Sequence, residues 1–235
     1  MSSSYDKSVK IWNSRTGRCQ ADLAGHKAPI VLLAASESTL VATGDRGGSV
    51  FIWDLASVEM RWRLKKIHTG HLTAIRWLPS TQTAVEQHSF LTGAQDGILR
   101  QWDSRSKTNV FKEKVHGSEG TRAAINHILV HPRHSHLLVT SGADQTIKVF
   151  DQRTGCAKEL ATFALTEFPY SAEFYGDSVI CSCGDGSLTA IDVVESLQVQ
   201  GSVDTKGASM RFLHAKEGQL LCGGDDGNLS FYAIH

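Results

Sequence analysis

The stretch Ile98-Leu99-Arg100-Gln101-Trp102 decides the fold, because its pattern recurs along the whole chain. It is a short apolar run that ends in an aromatic residue, and Asp96 lies in a turn six residues before that anchor. Aligning the chain on such runs gives six segments, which end at residues Trp12, Trp53, Trp102, Phe150, Ile191 and Tyr232. Their spacings are 41, 49, 48, 41 and 41 residues, a period that is typical of a repeated four-stranded β-unit.

Each repeat carries turn residues at the same offset from its anchor. An aspartate lies six residues before the anchor in five of the six segments, at positions Asp6, Asp96, Asp144, Asp185 and Asp226. Short β-prone runs precede each turn, and no segment shows the period of an amphipathic helix. The sequence therefore predicts an all-β protein built from repeats.

Four dipeptides carry a resemblance to the WD-repeat β-propeller family: Gly25-His26, Gly70-His71, Trp53-Asp54 and Trp102-Asp103. The resemblance covers nearly the whole chain. It implies one propeller domain over residues 1–235, with about five complete blade units and a partial one, from a seven-bladed parent. The unit boundaries are approximately 1–24 for the partial unit, then 25–66, 67–114, 115–163, 164–203 and 204–235.

The strand count is smaller than a closed ring needs. A seven-bladed ring takes roughly 280–300 residues at 40–45 per blade, and this chain has 235. One hypothesis is that the sequence is an amino-terminally shortened product or gene model. The alternative is a genuine short protein whose exposed strand edges are covered by a partner or a second copy.

The third unit matches the buried hydrogen-bonded tetrad that such repeats often carry. The resemblance assigns it to His71, Thr92, Asp96 and Trp102, all with a structural role. The second unit has His26, Thr43 and Trp53, and we expect its aspartate to be missing. The later units lack the tryptophan, so we expect incomplete tetrads there.

The strongest candidate for a binding site is a repeated Asp-x-Arg box after the anchor. Asp103 and Arg105 follow Trp102, Asp151 and Arg153 follow Phe150, and Arg15 takes the same place in the opening unit. In the WD-repeat family, paired boxes of this kind resemble those of substrate receptors that dock on the damaged-DNA-binding adaptor of cullin–RING ubiquitin ligases. The alternative is structural, because each arginine could simply pair with its own aspartate or with a neighbouring blade.

Composition excludes several function classes. The chain has 24 Lys and Arg and 24 Asp and Glu, so its net charge is zero, which argues against a mainly electrostatic nucleic-acid binder. Its longest apolar run, residues 30–35, is too short for membrane insertion. Met1 to Asp6 has no signal-peptide pattern and the five cysteines are scattered, so we expect a cytoplasmic and/or nuclear protein with reduced thiols.

No catalytic motif, cofactor-binding loop or paired-cysteine metal site is recognisable in the sequence. The histidine-rich run from His131 to His136 is interpreted as a polar turn, with a metal site as the weaker reading. We therefore expect a non-catalytic scaffold or adaptor that binds several proteins at once, with the cullin–RING substrate receptor as its most specific form. The alternative is a peptide or histone-tail reader that uses the top face of the propeller.

Overall fold

The computed structural model describes residues 1–79, 88–118, 120–153, 158–205 and 208–234. These residues form 22 β-strands in six antiparallel sheets, and no helix occurs among them. The predicted all-β repeat fold is confirmed. Since the described part of the chain has no helix, it also has none long and apolar enough to cross a membrane.

The chain divides into two compact units, Met1–Lys114 and Val115–His235. The first unit holds three sheets, whose strands pair in the orders β1-β2-β3, β4-β5-β6-β7 and β8-β9-β10-β11. Their bounds are β1 Ser2–Ser3, β2 Ser8–Trp12, β3 Cys19–Ala24, β4 Ile30–Ala35, β5 Leu40–Asp45, β6 Val50–Asp54, β7 Glu59–Leu64, β8 Leu72–Trp77, β9 Ser89–Ala94, β10 Ile98–Asp103 and β11 Thr108–Lys114.

The second unit holds the other three sheets, with strand orders β12-β13-β14-β15, β16-β17-β18-β19 and β20-β21-β22. Their bounds are β12 Ile125–Val130, β13 Leu137–Gly142, β14 Thr146–Asp151, β15 Lys158–Ala164, β16 Pro169–Tyr175, β17 Ser178–Cys183, β18 Ser187–Asp192, β19 Gln198–Asp204, β20 Met210–Lys216, β21 Gln219–Gly224 and β22 Leu229–Ala233. Four of the six sheets thus have four strands, and the first and the last have three.

Within a four-stranded sheet, the strands are called first to fourth in chain order. Aligned on the anchor residues, β1 to β3 correspond to the second to fourth strands, and β20 to β22 correspond to the first to third. The third and fourth strands share a β-bulge at the anchor residue in every sheet that has both. The register shifts occur at Ile11/Trp12, Ile52/Trp53, Gln101/Trp102, Val149/Phe150 and Ala190/Ile191. A bulge adds local twist and re-aims the side chains that follow it. The anchors found in the sequence therefore mark a shared structural feature just before the candidate turn.

Neighbouring sheets of each unit pack through buried apolar side chains. In the first unit, Val9 and Leu23 pack with Val41, Phe51 and Trp53. Burial of such side chains contributes about 1.5–3 kcal/mol each. This packing holds the turns between strands at fixed positions.

The second unit follows the same rule. Ile180 and Leu188 of one sheet lie in a buried cluster with Leu213, Leu220 and Cys222 of the next. All five of these side chains are buried.

Candidate functional site

The turn that joins a third strand to its fourth strand is capped by an Asp or Asn side chain in five sheets. We call this segment the 3–4 turn. In each case the Oδ1 atom accepts a hydrogen bond of 2.8–2.9 Å from the backbone N–H two residues later. The capping residues are Asn13, Asp54, Asp103, Asp151 and Asp192. Such a cap fixes the turn locally, so the aspartate of the box has a structural role that does not depend on the arginine.

The first Asp-x-Arg box lies in the first unit. Arg105 donates from Nη2 to Asp103 Oδ2 at 3.0 Å and from Nε to Asp103 Oδ1 at 3.3 Å. The Arg105 side chain is nevertheless 67% exposed. The hydrogen bond from Arg105 lowers the pKa of the Asp103 carboxyl below its ordinary value. The guanidinium is thus oriented by its own box and still open to a partner.

The second box, in the second unit, repeats this geometry. Arg153 donates from Nε to Asp151 Oδ2 at 2.9 Å, and its Nη2 also contacts that oxygen. The Arg153 side chain is 66% exposed, whereas Asp151 is buried. The hydrogen bond from Arg153 lowers the pKa of Asp151 to about 2. The pairing that the sequence left open as a structural alternative is therefore present in both boxes.

Arg15 differs from the other two arginines. It is exposed, but the capping residue two positions earlier is Asn13, which is neutral and cannot form the charge-assisted pair. Its guanidinium therefore lacks the box-internal ion pair that orients Arg105 and Arg153.

The tetrad of the third sheet contains His68 in place of the predicted His71. The His68 ring is fully buried; its Nδ1 donates to Asp96 at 3.1 Å, and its Nε2 lies 2.8 Å from Thr92 Oγ1. Trp102 Nε1 donates to the same hydroxyl at 2.9 Å. His71 is partly buried and donates its backbone N–H to Gln95. His68, and not His71, belongs to the tetrad because of its position in the loop: His68 lies four residues before β8, whereas His71 directly precedes that strand.

The direction of each hydrogen bond in this tetrad is fixed by chemistry. The carboxylate of Asp96 only accepts, so His68 Nδ1 carries the proton and Nε2 accepts from the Thr92 hydroxyl. That hydroxyl in turn accepts from the indole of Trp102. Burial disfavours the charged Asp96 carboxyl, but hydrogen bonds from His68 and from the Thr69 N–H outweigh it, so its pKa lies below the ordinary value.

The second sheet has a complete tetrad, contrary to the prediction that its aspartate is missing. Asp45 Oδ2 lies 2.9 Å from His26 Nδ1, and Thr43 Oγ1 bonds both His26 Nε2 and Trp53 Nε1 at 2.8 Å. The six-residue offset did not predict Asp45, because this residue ends β5 and lies eight residues before the anchor.

The fourth sheet has three of the four tetrad members, as expected from its Phe150 anchor. His116 Nδ1 lies 2.9 Å from Asp144 and His116 Nε2 lies 2.8 Å from Thr140. The separations from histidine to threonine and aspartate are 24 and 28 residues both here and in the His68 network. That shared spacing is the sequence signal that identifies His68 and His116.

The histidine-rich turn brings together His131, His134 and Asp177, whose ligand atoms lie within 4.8 Å of one another. However, His131 Nδ1 accepts hydrogen bonds from the backbone N–H groups of Arg133 and His134, so the ring proton lies on Nε2. Nε2 faces Asp177 Oδ1 at 3.2 Å, and Arg133 pairs with that same oxygen. A metal at Nε2 would require the proton to move to an atom that two donors already occupy. The contacts therefore support the polar turn.

Comparison with known proteins defines the class. The family model described as "WD domain, G-beta repeat" matches residues 17–54, 62–103 and 112–151, which together make up half of the chain. The chain belongs to the WD-repeat family. Proteins of this family are generally non-catalytic scaffolds that bind other proteins.

Curated relatives match only part of their own length. An uncharacterized WD repeat-containing protein of Schizosaccharomyces pombe is 28% identical over 66% of this chain and 41% of its own length. A ribosome biogenesis protein WDR12 homolog of Ixodes scapularis is 23% identical over 64% of this chain and 33% of its own length. Transducin beta-like protein 3 of Rattus norvegicus is 27% identical over 65% of this chain and 19% of its own length. The chain thus spans less than half the length of these relatives.

Solved structures show the fold. A chain in a crystal structure of the mitotic checkpoint complex has a TM-score of 0.83 and 19% identity, covering 98% of this chain and 69% of that one. The computationally designed Ika8 protein has a TM-score of 0.80 and 21% identity, covering 98% and 66%.

Proposed function

We propose that this protein is a non-catalytic scaffold that binds several proteins at once, and that Arg105 and Arg153 dock it on the adaptor of a cullin–RING ubiquitin ligase. In this role the chain is a substrate receptor that acts in the cytoplasm or the nucleus. One observation carries the proposal: two consecutive sheets present the same oriented guanidinium, about two-thirds exposed, at the 3–4 turn.

The geometry suits recognition of acceptor groups on a partner. Each arginine uses Nε and Nη2 on its own aspartate, and this pairing does not engage the N–H groups of Nη1. Because the aspartate holds the guanidinium in place, less conformational entropy is lost when a partner carboxylate or carbonyl binds. A desolvated hydrogen bond to a charged group contributes about 1.5–3 kcal/mol.

The test compares adaptor binding by the chain and by the Arg105→Ala, Arg153→Ala double variant, using affinity purification with mass spectrometry and then titration with purified adaptor. We expect the double variant to lose about a hundredfold or more in affinity. Arg63→Ala removes an exposed arginine elsewhere and is the matched control, expected to bind as well as the wild type.

A second control separates the arginines from the turn. Asp103→Asn with Asp151→Asn preserves the Asx caps but removes the ion pairs, so the fold and most of the adaptor affinity should survive. Equal adaptor binding by the wild type and the double arginine variant would contradict the proposed docking role and make the boxes structural. Recovery of ribosome assembly factors in place of any ligase component would instead align the chain with the relative named for ribosome biogenesis.

The alternative function is a peptide or histone-tail reader on the face that carries the turn between second and third strands. Arg46, in such a turn, is exposed and lies over the Tyr5 ring at 5.8 Å. This alternative predicts saturable binding of a short histone-tail peptide that Arg46→Ala weakens and that the Arg105 and Arg153 substitutions do not affect.

A further inference from the structure

Arg100, in β10, has a buried donor that no acceptor satisfies within the described residues. Its side chain is partly buried, and its Nε is buried without a hydrogen-bond partner in that part of the chain. Burial disfavours the charged guanidinium and lowers the pKa of Arg100 below its ordinary value, against the attraction of Asp96. A buried donor without an acceptor costs free energy, so this arrangement is unfavourable unless an acceptor is supplied.

The polar groups beside Arg100 already have other partners. Across β9 and β10, Arg100 lies directly opposite Thr92, whose hydroxyl bonds His68 and Trp102. The Asp96 carboxylate accepts from the His68 ring and from two backbone N–H groups. The tetrad of the third sheet therefore uses these acceptors itself.

On the other side of β10, the residue directly opposite Arg100 is a second base, Lys112 of β11, which is exposed. Glu113 follows it, but this glutamate lies opposite Leu99 and so points to the other face of the sheet. Side chains directly opposite each other have Cβ atoms about 4.5–5.5 Å apart, and like charges there are destabilising. We call Arg100 and Lys112 the basic pair.

Two other sheets place a base at the position of Arg100, two residues before the anchor, and give it an acid. In the first sheet this base is Lys10, which lies directly opposite Asp22. In the fourth sheet it is Lys148, whose Nζ lies 2.9 Å from Glu159 Oε2. The third sheet places a lysine opposite the arginine instead. The basic pair thus has two bases where the first and fourth sheets have a base and an acid.

The basic pair lies on the face of the third sheet that packs against the second sheet. Arg100 shares this face with Thr92 and Phe90, and the centroid of the Phe90 ring lies 6.1 Å from that of Trp62 in β7. Leu64 of β7 packs against the same apolar cluster. An anion bound beside these apolar side chains would attract the guanidinium more strongly than it would in water.

The number of charges favours a phosphate monoester as the ligand. At pH 7 a phosphorylated serine or threonine carries a charge of about −1.5 to −2 and three acceptor oxygens, which match two cationic groups, whereas a carboxylate carries one negative charge. The N–H donors of a guanidinium can bind two phosphate oxygens at once. Single-stranded nucleic acids bind by stacking bases on exposed aromatic rings, but Trp62 is only 9% exposed, so the surroundings favour a protein ligand.

We propose that the basic pair binds the phosphoryl group of a phosphorylated serine or threonine in a partner protein. The phosphate oxygens accept hydrogen bonds from the Arg100 guanidinium and from the Lys112 ammonium. They thereby supply the negative charge that an acidic side chain supplies in the first and fourth sheets. Because Lys112 is exposed, the segment that carries the phosphate can approach from solvent.

The probe is N-acetyl-phosphoserine amide, and its phosphorus-31 chemical shift is followed as the full chain is added at fixed, low ionic strength. We expect saturable binding with a dissociation constant on the order of 1 mM or lower, and weaker binding at high salt. N-acetyl-aspartate amide serves as a competitor that carries the single charge of a carboxylate. It should displace the probe at least about tenfold less effectively than unlabelled phosphothreonine amide does.

Variants of the protein locate the binding to the basic pair. Arg100→Gln and Lys112→Gln each remove one charge and should weaken probe binding at least about tenfold. Lys112→Glu supplies an acid opposite Arg100, so it should abolish binding while the melting temperature stays at or above that of the wild type. Lys148→Gln is the matched control, because it removes the equivalent base of a sheet that already has an acid, and it should bind the probe as well as the wild type.

Four results would overturn this assignment. The first is no saturable binding of the phosphoserine probe, and the second is equal binding by the wild type and the variants of the basic pair. The third is equally effective displacement by the aspartate competitor, which would assign the pair to a carboxylate. The fourth is tighter binding of a single-stranded oligonucleotide that Arg100→Gln abolishes, which would assign it to nucleic acid. The Arg105→Ala, Arg153→Ala variant should bind the probe normally, so this proposal and the adaptor proposal fail independently.

Discussion

Thr92 is the centre of the network in the third sheet. Its hydroxyl donates to His68 Nε2 and accepts from Trp102 Nε1, and all three side chains are buried. In a low-dielectric interior, removal of one member leaves the others unsatisfied, which costs more than the mean energy of a hydrogen bond.

The network predicts different outcomes for two nearby histidines. His68→Ala should lower the free energy of unfolding by about 2–4 kcal/mol, because it leaves Asp96 and Thr92 without their buried partner. His71→Ala should change it by less than about 1 kcal/mol. Urea denaturation of both variants measures the difference, and a larger loss for His71→Ala would contradict the assignment of His68.

The sequence could predict three of these four side chains, but it misplaced the fourth. Thr92 and Trp102 lie in two adjacent strands, where the two-residue period sets which side chains share a face, and Asp96 lies in the short turn that joins these strands. The histidine lies in the loop before the first strand, and the Gly70-His71 dipeptide there pointed to the wrong residue. Loop conformation depends on tertiary contacts, so position relative to a dipeptide could not determine which ring is buried.

His127 predicts how stability depends on pH. Burial lowers the pKa of its ring to about 4, and its Nδ1 lies 3.0 Å from Ser141 Oγ. The unfolded chain therefore binds a proton at this site before the folded chain does, near pH 6.5. The stabilisation is fully present above about pH 6.5 and is lost as the pH falls toward 4.

Comparison with His127→Gln isolates this contribution. The wild type should lose on the order of 2–3 kcal/mol more than the variant between pH 7 and pH 4, because glutamine does not titrate. Chemical denaturation at several pH values measures both curves. Parallel curves for the two proteins would show that His127 does not carry the effect.

At the scale of the strand, the fold was more predictable than the site. Anchors, turns and short apolar runs located every third strand, because alternation and turn chemistry are local properties of the sequence. The Asp-x-Arg boxes were also visible, but whether each arginine pairs with its own aspartate depends on side-chain rotamers at the 3–4 turn. The structure supplies that information for Arg105 and Arg153.

Two strand glycines give a matched pair of substitutions. A Cβ at Gly142 in β13 would overlap the His116 ring and lie 2.6 Å from Asp144 Oδ1, whereas a Cβ at Gly201 in β19 would meet nothing within 4 Å. Gly142→Ala should therefore destabilise the chain by about 1–3 kcal/mol, as overpacking does. Gly201→Ala should be neutral or stabilising by up to about 1 kcal/mol.

Thermal unfolding followed by circular dichroism distinguishes these variants. One kcal/mol corresponds to roughly 2–4 °C in the melting temperature of a chain of this size. If Gly201→Ala lowered the melting temperature as much as Gly142→Ala, the close approach of His116 to the β13 backbone would not be the cause of the lost stability.

At the scale of the whole molecule, the net charge of zero is the sum of two opposite net charges, one on each unit. Residues 1–114 contain sixteen Lys and Arg against ten Asp and Glu, a net charge of +6, and residues 115–235 carry −6. The net charge of zero argued against an electrostatic nucleic-acid binder, but that argument applies only to the charge summed over the whole chain and not to each unit. Each unit by itself has the charge of a distinctly basic or acidic domain.

This asymmetry predicts that the chain binds both cation- and anion-exchange resins at pH 7. At about 0.1 M salt the screening length is about 10 Å, shorter than the radius of gyration of about 13 Å for a unit of this size, so a resin responds to one unit at a time. Lys65→Glu with Lys66→Glu, at exposed positions of the basic unit, should weaken cation-exchange retention and strengthen anion-exchange retention. A protein that passes through both resins, as its average charge would suggest, would contradict the separation of charge.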